Sequence, residues 1–379
     1  MVMKRLVYIL FVAVFFYSCN MPEDKSKEEE EFVELGNLQK ILDGYEFVEL
    51  DNLQKILDGY HVSAIEFDSK GNAWIGTFER GIIRYNAEKT VFFDSESIIP
   101  GGFTVQDIAV DKKDNVWIGV TGTEFEFGVG LWGGGLLKYD GQEFTLYNSQ
   151  NTPMPLDMPR KIEIDSQNTI WFLCGNYTTG GLVKYDGTEW TVFTPDNSVL
   201  PYTSINSIAI DQSDNVWLGL YNHLIKITNS GIWEIYSGEE LGFTQFYSKG
   251  GHDIGDIKIN SKNYVIGTID YTFHPFDAPP LLFPVPNLLV MFIFDGIRTT
   301  EFVTWDYFYA GISNITIDHN DYIWCSQKRV IPSRHGVWYG GEQGKIIDHS
   351  KFDEYIAIIR EAPDYKIWFG TGNGIYIRQ

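Results

Sequence analysis

The sequence predicts an all-β chain built from one repeated four-stranded unit, and three observations carry that expectation. The string IEFDSKGNAWIGT (65–77) recurs as IAVDKKDNVWIGV (108–120), IEIDSQNTIWFLC (162–174) and IAIDQSDNVWLGL (208–220), then as ITIDHNDYIWCSQ (315–327) and IIREAPDYKIWFGT (358–371). Within each copy apolar and polar residues alternate, the period-two signature of a strand with one buried face. Aromatic residues make up 16% of the chain and there are 37 glycines, a balance that suits short strands and tight turns rather than helices.

Each copy reads as a hairpin. An isoleucine opens the first strand, and an aspartate (Asp68, Asp111, Asp165, Asp211 or Asp318) starts a tight turn. A short carboxylate there accepts bonds from the backbone amides of its own turn. A second strand follows with tryptophan at the anchor and, in most copies, glycine two residues later, where close backbone approach is expected. A degenerate copy, IKINSKNYVIGT (257–268), reads as one residue shorter in the turn with Val265 in place of the tryptophan. The anchors are then Trp74, Trp117, Trp171, Trp217, Val265, Trp324 and Trp368, seven units about 49 residues apart. GIIRY (81–85), GLLKY (135–139), GLVKY (181–185) and GIYIR (374–378) supply third strands; EFTLY (143–147), EWTVF (189–193) and IWEIY (232–236) supply fourth strands. Four antiparallel strands at this period make one propeller blade, so the expected fold is a seven-bladed β-propeller.

The last unit stops after its third strand, leaving an edge that needs a partner. EFVEL (46–50) looks like EFTLY and EWTVF, and Phe47 precedes Ile65 by the same interval that separates Phe144 from Ile162. The expected closure is therefore an N-terminal strand at 46–50, and the propeller is assigned to 46–379. Residues 31–45 and 46–60 are tandem copies that differ only at Gly36/Asp51. The first copy reads as extra tether, with competition for the blade-seven edge as the other reading.

The pattern I-x-x-I-x-x-D-x-x-G-N-x-W-I-G-T followed by G-G-L-x-x-Y-D resembles the two-component regulator propeller repeat. That resemblance covers 62–379 and implies an extracytoplasmic sensing or binding propeller in a stand-alone protein, with no phosphotransfer region in this sequence. It is strong for fold and weak for function, because propellers host unrelated activities.

Residues 1–18 hold Lys4 and Arg5, an apolar run from Leu6 to Tyr17, and Ser18 before Cys19. This is the layout of a secretory signal, too short to span a bilayer. FYSC (16–19) resembles the lipobox of bacterial lipoproteins, which implies acylation of Cys19 and membrane attachment through the N-terminal lipid only. The acidic stretch after Cys19 resembles a surface-export signal. An outer-membrane lipoprotein is expected, surface-exposed or else periplasm-facing, with 19–45 as lipidated cysteine, tether and spare copy. A net charge of −22 argues against nucleic-acid binding, since phosphates would be repelled. Cys174 and Cys325 each lie beside a core tryptophan and read as packed small hydrophobes.

The connections are lopsided. First-to-second and third-to-fourth turns are short, whereas long insertions at 121–134, 174–180, 269–287 and 326–335 share the other rim with crossovers at 237–253 and 304–311. Long aromatic-bearing loops on one face of a rigid scaffold are where binding resides. The residues expected to contact a ligand there are Phe125, Phe127, Trp132, Tyr177, Tyr221, His223, Tyr271, Phe273, His274, Trp305, Tyr307, Arg329, Arg334 and His335. The same aromatics would also serve to pack the loops on one another. Aromatic platforms interleaved with acids and arginines suit an extracellular glycan or peptide. His223, His274 and His335 fall on second-to-third loops of consecutive blades, which keeps a lyase or hydrolase open, and an envelope protein-interaction scaffold is the third reading. No catalytic residue, metal site or cofactor is assigned, because no histidine has metal-ligand spacing and no nucleotide or nucleophile motif appears.

Overall fold

The computed structural model describes residues 53–126, 130–132, 134–176, 178–243, 251–272, 289–304, 310–329, 336–340, 345–347, 352 and 355–378. The leader 1–18, Cys19, the 31–45 copy and residues 46–50 lie outside them. Among the described residues there are seven four-stranded antiparallel sheets and one two-stranded ribbon. The inner strands are Val62–Phe67, Phe103–Val110, Pro159–Ile164, Ile205–Ile210, Gly251–Ile259, Ala310–Ile317 and Ile356–Glu361. Each touches the next, and the last touches the first, so the chain is a closed seven-bladed propeller.

The core is distributed between blades. One cluster joins Trp217 and Leu224 of blade 4 to Ile254, Ile257, Phe292 and Phe294 of blade 5. Another joins Trp74 and Ile82 of blade 1 to Phe103, Ile118 and Leu137 of blade 2. The anchor-plus-two glycine makes this approach possible. A Cβ on Gly76 would stand 2.3 Å from Val105 of the next blade, and one on Gly370 would stand 2.7 Å from Val62. Cys174 and Cys325 are both buried, as their apolar neighbours imply. Burial pushes the Cys174 thiol up to about 12, and that thiol donates to the Leu156 carbonyl.

The repeated turn explains why the motif is legible. In blades 1, 2, 3, 4 and 6 the turn aspartate accepts from the anchor indole Nε1 at 2.9 to 3.2 Å. Its other oxygen accepts backbone amides of the turn, such as Lys113 and Asn115 on Asp111. Three residues before each anchor the backbone is left-handed: Gly71, Asp114, Asn168, Asp214, Asn263, Asp321 and Tyr365, with φ from 60° to 75°. Glycine, asparagine and aspartate adopt that region readily; Tyr365 holds it at a steric cost.

Those left-handed side chains also stitch the blades together. Ser69 N donates to Asp114, Lys112 N to Asn168, Ser166 N to Asp214, Gln212 N to Asn263 and Ser261 N to Asp321, at 2.8 to 3.1 Å. Between blades 6 and 7, where Tyr365 offers no acceptor at that place, His319 N donates to Glu361 instead, at 2.8 Å. At the junction of blades 7 and 1 the equivalent donor is Pro363, which has no N–H, and the equivalent acceptor is Gly71, which has no side chain.

Two sequence expectations are corrected. The anchor of blade 5 is Ile266 rather than Val265: Lys258 pairs with Ile266 as Ala209 pairs with Trp217. The turn is therefore full length, and Thr268 takes the place of the glycine that was used to align it. The outer strand of blade 7 is Leu53–Ile56, paired antiparallel with Gly374–Arg378 through Leu53↔Arg378 and Ile56↔Ile375. N-terminal closure holds, but at 53–56 rather than 46–50. Matching Phe47 to Phe144 assumed a long crossover, whereas only 57–61 separate this strand from the first inner strand. Leu57 (φ 52°) and Gly59 (φ 82°) turn the chain there, and Gly374 N donates to Tyr60 O at 2.7 Å. Leu53 packs on the cluster of Trp324, Phe369 and Tyr376, and Ile56 on that of Val62, Trp368 and Ile375.

Candidate functional site

The long-loop rim lies at the start of the inner strands. Of the residues expected to bind there, Tyr221 and His223 are fully described. His223 begins the third strand of blade 4, and its Nδ1 lies 2.9 Å from the Tyr221 carbonyl. Tyr202, from the preceding crossover, joins them with ring centroids 6.1 Å from Tyr221 and 6.0 Å from His223. Both tyrosines are exposed. Tyr221 bridges through its backbone to Asp253 of blade 5. Burial pushes the Asp253 carboxyl above its ordinary range, offset in part by the amide of Asn206, which also donates to Ile254 O at 3.0 Å. Two tyrosine rings and an imidazole thus gather at the rim end of blade 4, beside the strand of blade 5 that carries Asp253.

The other expected residues are not brought to this cluster by anything described. Phe125 and Trp132 lie in a two-stranded ribbon, Glu124–Glu126 with Gly130–Trp132, where a plain loop was expected. The insertion is thus a hairpin standing on blade 2. Tyr271 and Arg329 end second strands, paired with His252 and Ala310. Phe127, Tyr177, Phe273, His274, Trp305, Tyr307, Arg334 and His335 lie outside the described residues. Tyr202 and Asp253 were not singled out in the sequence, although Tyr202 sits in a crossover and Asp253 near the start of an inner strand, both on the rim already marked.

A second feature was missed entirely. The residues flanking the opening isoleucine of each inner strand reach the axis, and several are charged. They line a cavity of about 430 Å³ formed by Glu66, Asp107, Lys161, Glu163, Lys258, Thr316, Arg360, Glu361 and intervening apolar residues. The lining includes the last residues of the inner strands, so the cavity lies toward the short-turn end. Lys258 Nζ stands 3.2 Å from Glu163, Arg360 Nε 3.7 Å from Glu66 and Lys161 Nζ 4.0 Å from Asp256. Asp107 and Asp256 also accept the backbone N–H of Ile162 and Ile315 on the next blades, both at 2.9 Å. Burial pushes the Glu66 carboxyl up, with Arg360 opposing. For Asp256 burial acts the same way, but Lys161 and Lys258 outweigh it and hold the carboxyl below its usual value. The available signal was a charged residue between two buried isoleucines of an innermost strand. Among the described residues no group of three or more His, Cys, Asp or Glu is placed to hold a metal ion, and no helix is long and apolar enough to cross a membrane.

Neither a protein-family model nor any curated protein matches the sequence. Solved structures do. The extracellular domain of the putative hybrid two-component system BT4673 from B. thetaiotaomicron aligns with a TM-score of 0.64 at 17% identity, over 86% of this chain and 39% of that one. A catalytically inactive virginiamycin B lyase from Staphylococcus aureus with Quinupristin aligns at 0.60 and 14%, over 86% and 99%. YCF48 bound to D1 peptide aligns at 0.55 and 10%, over 88% and 97%. The chain spans about two-fifths of the regulator structure it matches. At these identities the likeness is one of fold, and the protein's class is the seven-bladed β-propeller.

Proposed function

We propose that the chain is an extracytoplasmic, lipid-anchored binding module of the two-component regulator propeller kind, attached through Cys19 at the outer membrane, that takes a glycan or peptide on its loop-rich rim. One observation carries the reading: Tyr202 and Tyr221 present exposed ring faces beside His223 and Asp253 at one blade junction. Aromatic faces cover the apolar side of a sugar ring or a peptide side chain, while a neighbouring carboxyl accepts its hydroxyls or amides. Neighbours that are extracellular regulator domains, and one bound to a peptide, agree with it. The test is a glycan and peptide array probed with the purified protein, followed by titration of each hit. Tyr202→Ala and Tyr221→Ala should each weaken a hit at least about tenfold, while His223→Ala leaves affinity within about twofold. An array blank for both ligand classes, or hits indifferent to both tyrosines, would remove this rim as the site.

A further inference from the structure

The axial cavity stands apart from the rim, and its charges are arranged rather than scattered. At the level just after the opening isoleucine, acids come from blades 1 and 3 (Glu66, Glu163) and bases from blades 5 and 7 (Lys258, Arg360). Thr316, on blade 6, stands between the two bases. At this one level the cavity is therefore acidic on one arc and basic on the other, while Lys161 and Glu361 add one charge of the opposite sign to each arc.

Two of the three charge pairs are loose. Arg360 Nε to Glu66 at 3.7 Å and Lys161 Nζ to Asp256 at 4.0 Å are both longer than a hydrogen bond. Lys258 to Glu163 is closer, at 3.2 Å. Arg360 uses Nη1 on the Ile359 carbonyl at 3.1 Å. Glu66 and Glu163 are 33% and 30% exposed and Lys258 and Arg360 24% and 16%, and charges drawn partly out of water are costly unless a partner approaches closely. A lone anion would satisfy the bases and face the acids; a lone cation would do the reverse; a neutral sugar would neutralise neither. A molecule bearing one ammonium and one carboxylate completes both arcs together. The volume, about 430 Å³, lies within the usual range for small-ligand pockets.

We propose that this cavity binds a small zwitterion, a free α-amino acid or a dipeptide, with its ammonium toward Glu66 and Glu163 and its carboxylate toward Lys258 and Arg360. The site is separate from the rim surface and does not depend on what that rim binds.

The test is calorimetric titration of the full-length protein with free amino acids, with dipeptides, and with the same compounds N-acetylated or C-amidated, up to about 10 mM. Free-ended compounds should bind saturably, and blocking either end should weaken them at least about tenfold. The tighter of the amino-acid and dipeptide series identifies the source. Arg360→Met and Lys258→Met should each cost about tenfold or more, whereas Tyr221→Ala changes nothing. Absence of saturable binding by any free-ended compound, or equal binding of blocked and free forms, overturns the proposal. So does unchanged affinity in a folded Arg360→Met protein. The blocked-ligand comparison uses the unaltered protein, so it decides the matter even if the variants do not fold.

Discussion

Ala362 stands six residues before Trp368, at the place from which an aspartate caps the anchor indole in five other blades. The turn around it keeps the common backbone, with Ala362 N donating to Lys366 O and Tyr365 N to Ala362 O, both at 2.8 Å. Trp368 Nε1 is buried and has no hydrogen-bond partner among the described residues. Leaving a buried donor unmet costs about 1 to 3 kcal/mol.

Ala362→Asp should therefore stabilise the protein, by about 1 kcal/mol, read as a higher urea midpoint at unchanged slope. The reciprocal change, Asp318→Ala, removes the acceptor for Trp324 Nε1 and for the amides of Asn320 and Tyr322. It should cost about 2 to 3 kcal/mol. An Ala362→Asp protein no more stable than the parent would mean the vacant acceptor position is satisfied in another way.

The junction of blades 7 and 1 lacks the turn-to-turn hydrogen bond at both ends, and restoring it requires two substitutions. Pro363→Ser supplies the N–H and Gly71→Asp the acceptor; a Cβ at Gly71 meets nothing within 4 Å. A double-mutant cycle on unfolding free energy should give a favourable coupling of about 0.5 to 1 kcal/mol. Additive effects would show that the two turns do not meet as they do elsewhere in the ring.

Acid should weaken the fold through its turn aspartates. The Asp186 carboxyl is held down to about 2, first by the Glu189 amide and then by the hydroxyl and amide of Thr188. Asp114 and Asp321 are lowered by their bonds from Ser69 and Ser261. For Asp211 burial works against the charge, but bonds from Trp217, Asn215 and Ser213 prevail and lower it too. With folded values below the unfolded value of about 3.9, the unfolded chain takes up more protons as pH falls. The stabilisation is complete above about pH 4 and is lost on descending through the folded values. Urea midpoints measured across that interval should fall steadily, and Asp186→Asn should make the fall shallower.

Closure of the ring should be sensitive to two half-buried side chains of the clasp. Leu53→Asp and Ile56→Asp each place a carboxylate against an apolar cluster and should cost about 2 kcal/mol or more. Gln54→Asp, between them, serves as the milder control. Differential scanning calorimetry that found Leu53→Asp and Gln54→Asp equally stable would contradict the packing described for this strand.

The fold was legible because one interaction, indole on turn carboxylate, forces the same spacing in blade after blade. Where that interaction is absent the reading slipped. In blade 5 there is neither aspartate nor tryptophan, and Gly267 stands one residue earlier than the glycine of the other blades, which shifts the apparent anchor to Val265 from Ile266. The clasp slipped because LQKI (53–56) carries no aromatic mark, and its link to the first blade, 57–61, is far shorter than the 148–158 link between blades 2 and 3 on which the match was built. The rim was correctly marked by loop length, but Tyr202 meets Tyr221 through the end of one hairpin and Asp253 reaches it only through the meeting of two blades. The axial charges were invisible for a different reason. Glu66 and Arg360 are almost three hundred positions apart, and nothing local tells one residue that the other will face it.

The outer strand of the last blade comes from residues 53–56 and its neighbour from 374–378. The circle therefore cannot shut until residues 374–378 have been made, and until then the strand at 53–56 lacks its partner. Joining those ends closes a very long loop late in folding, a slow step.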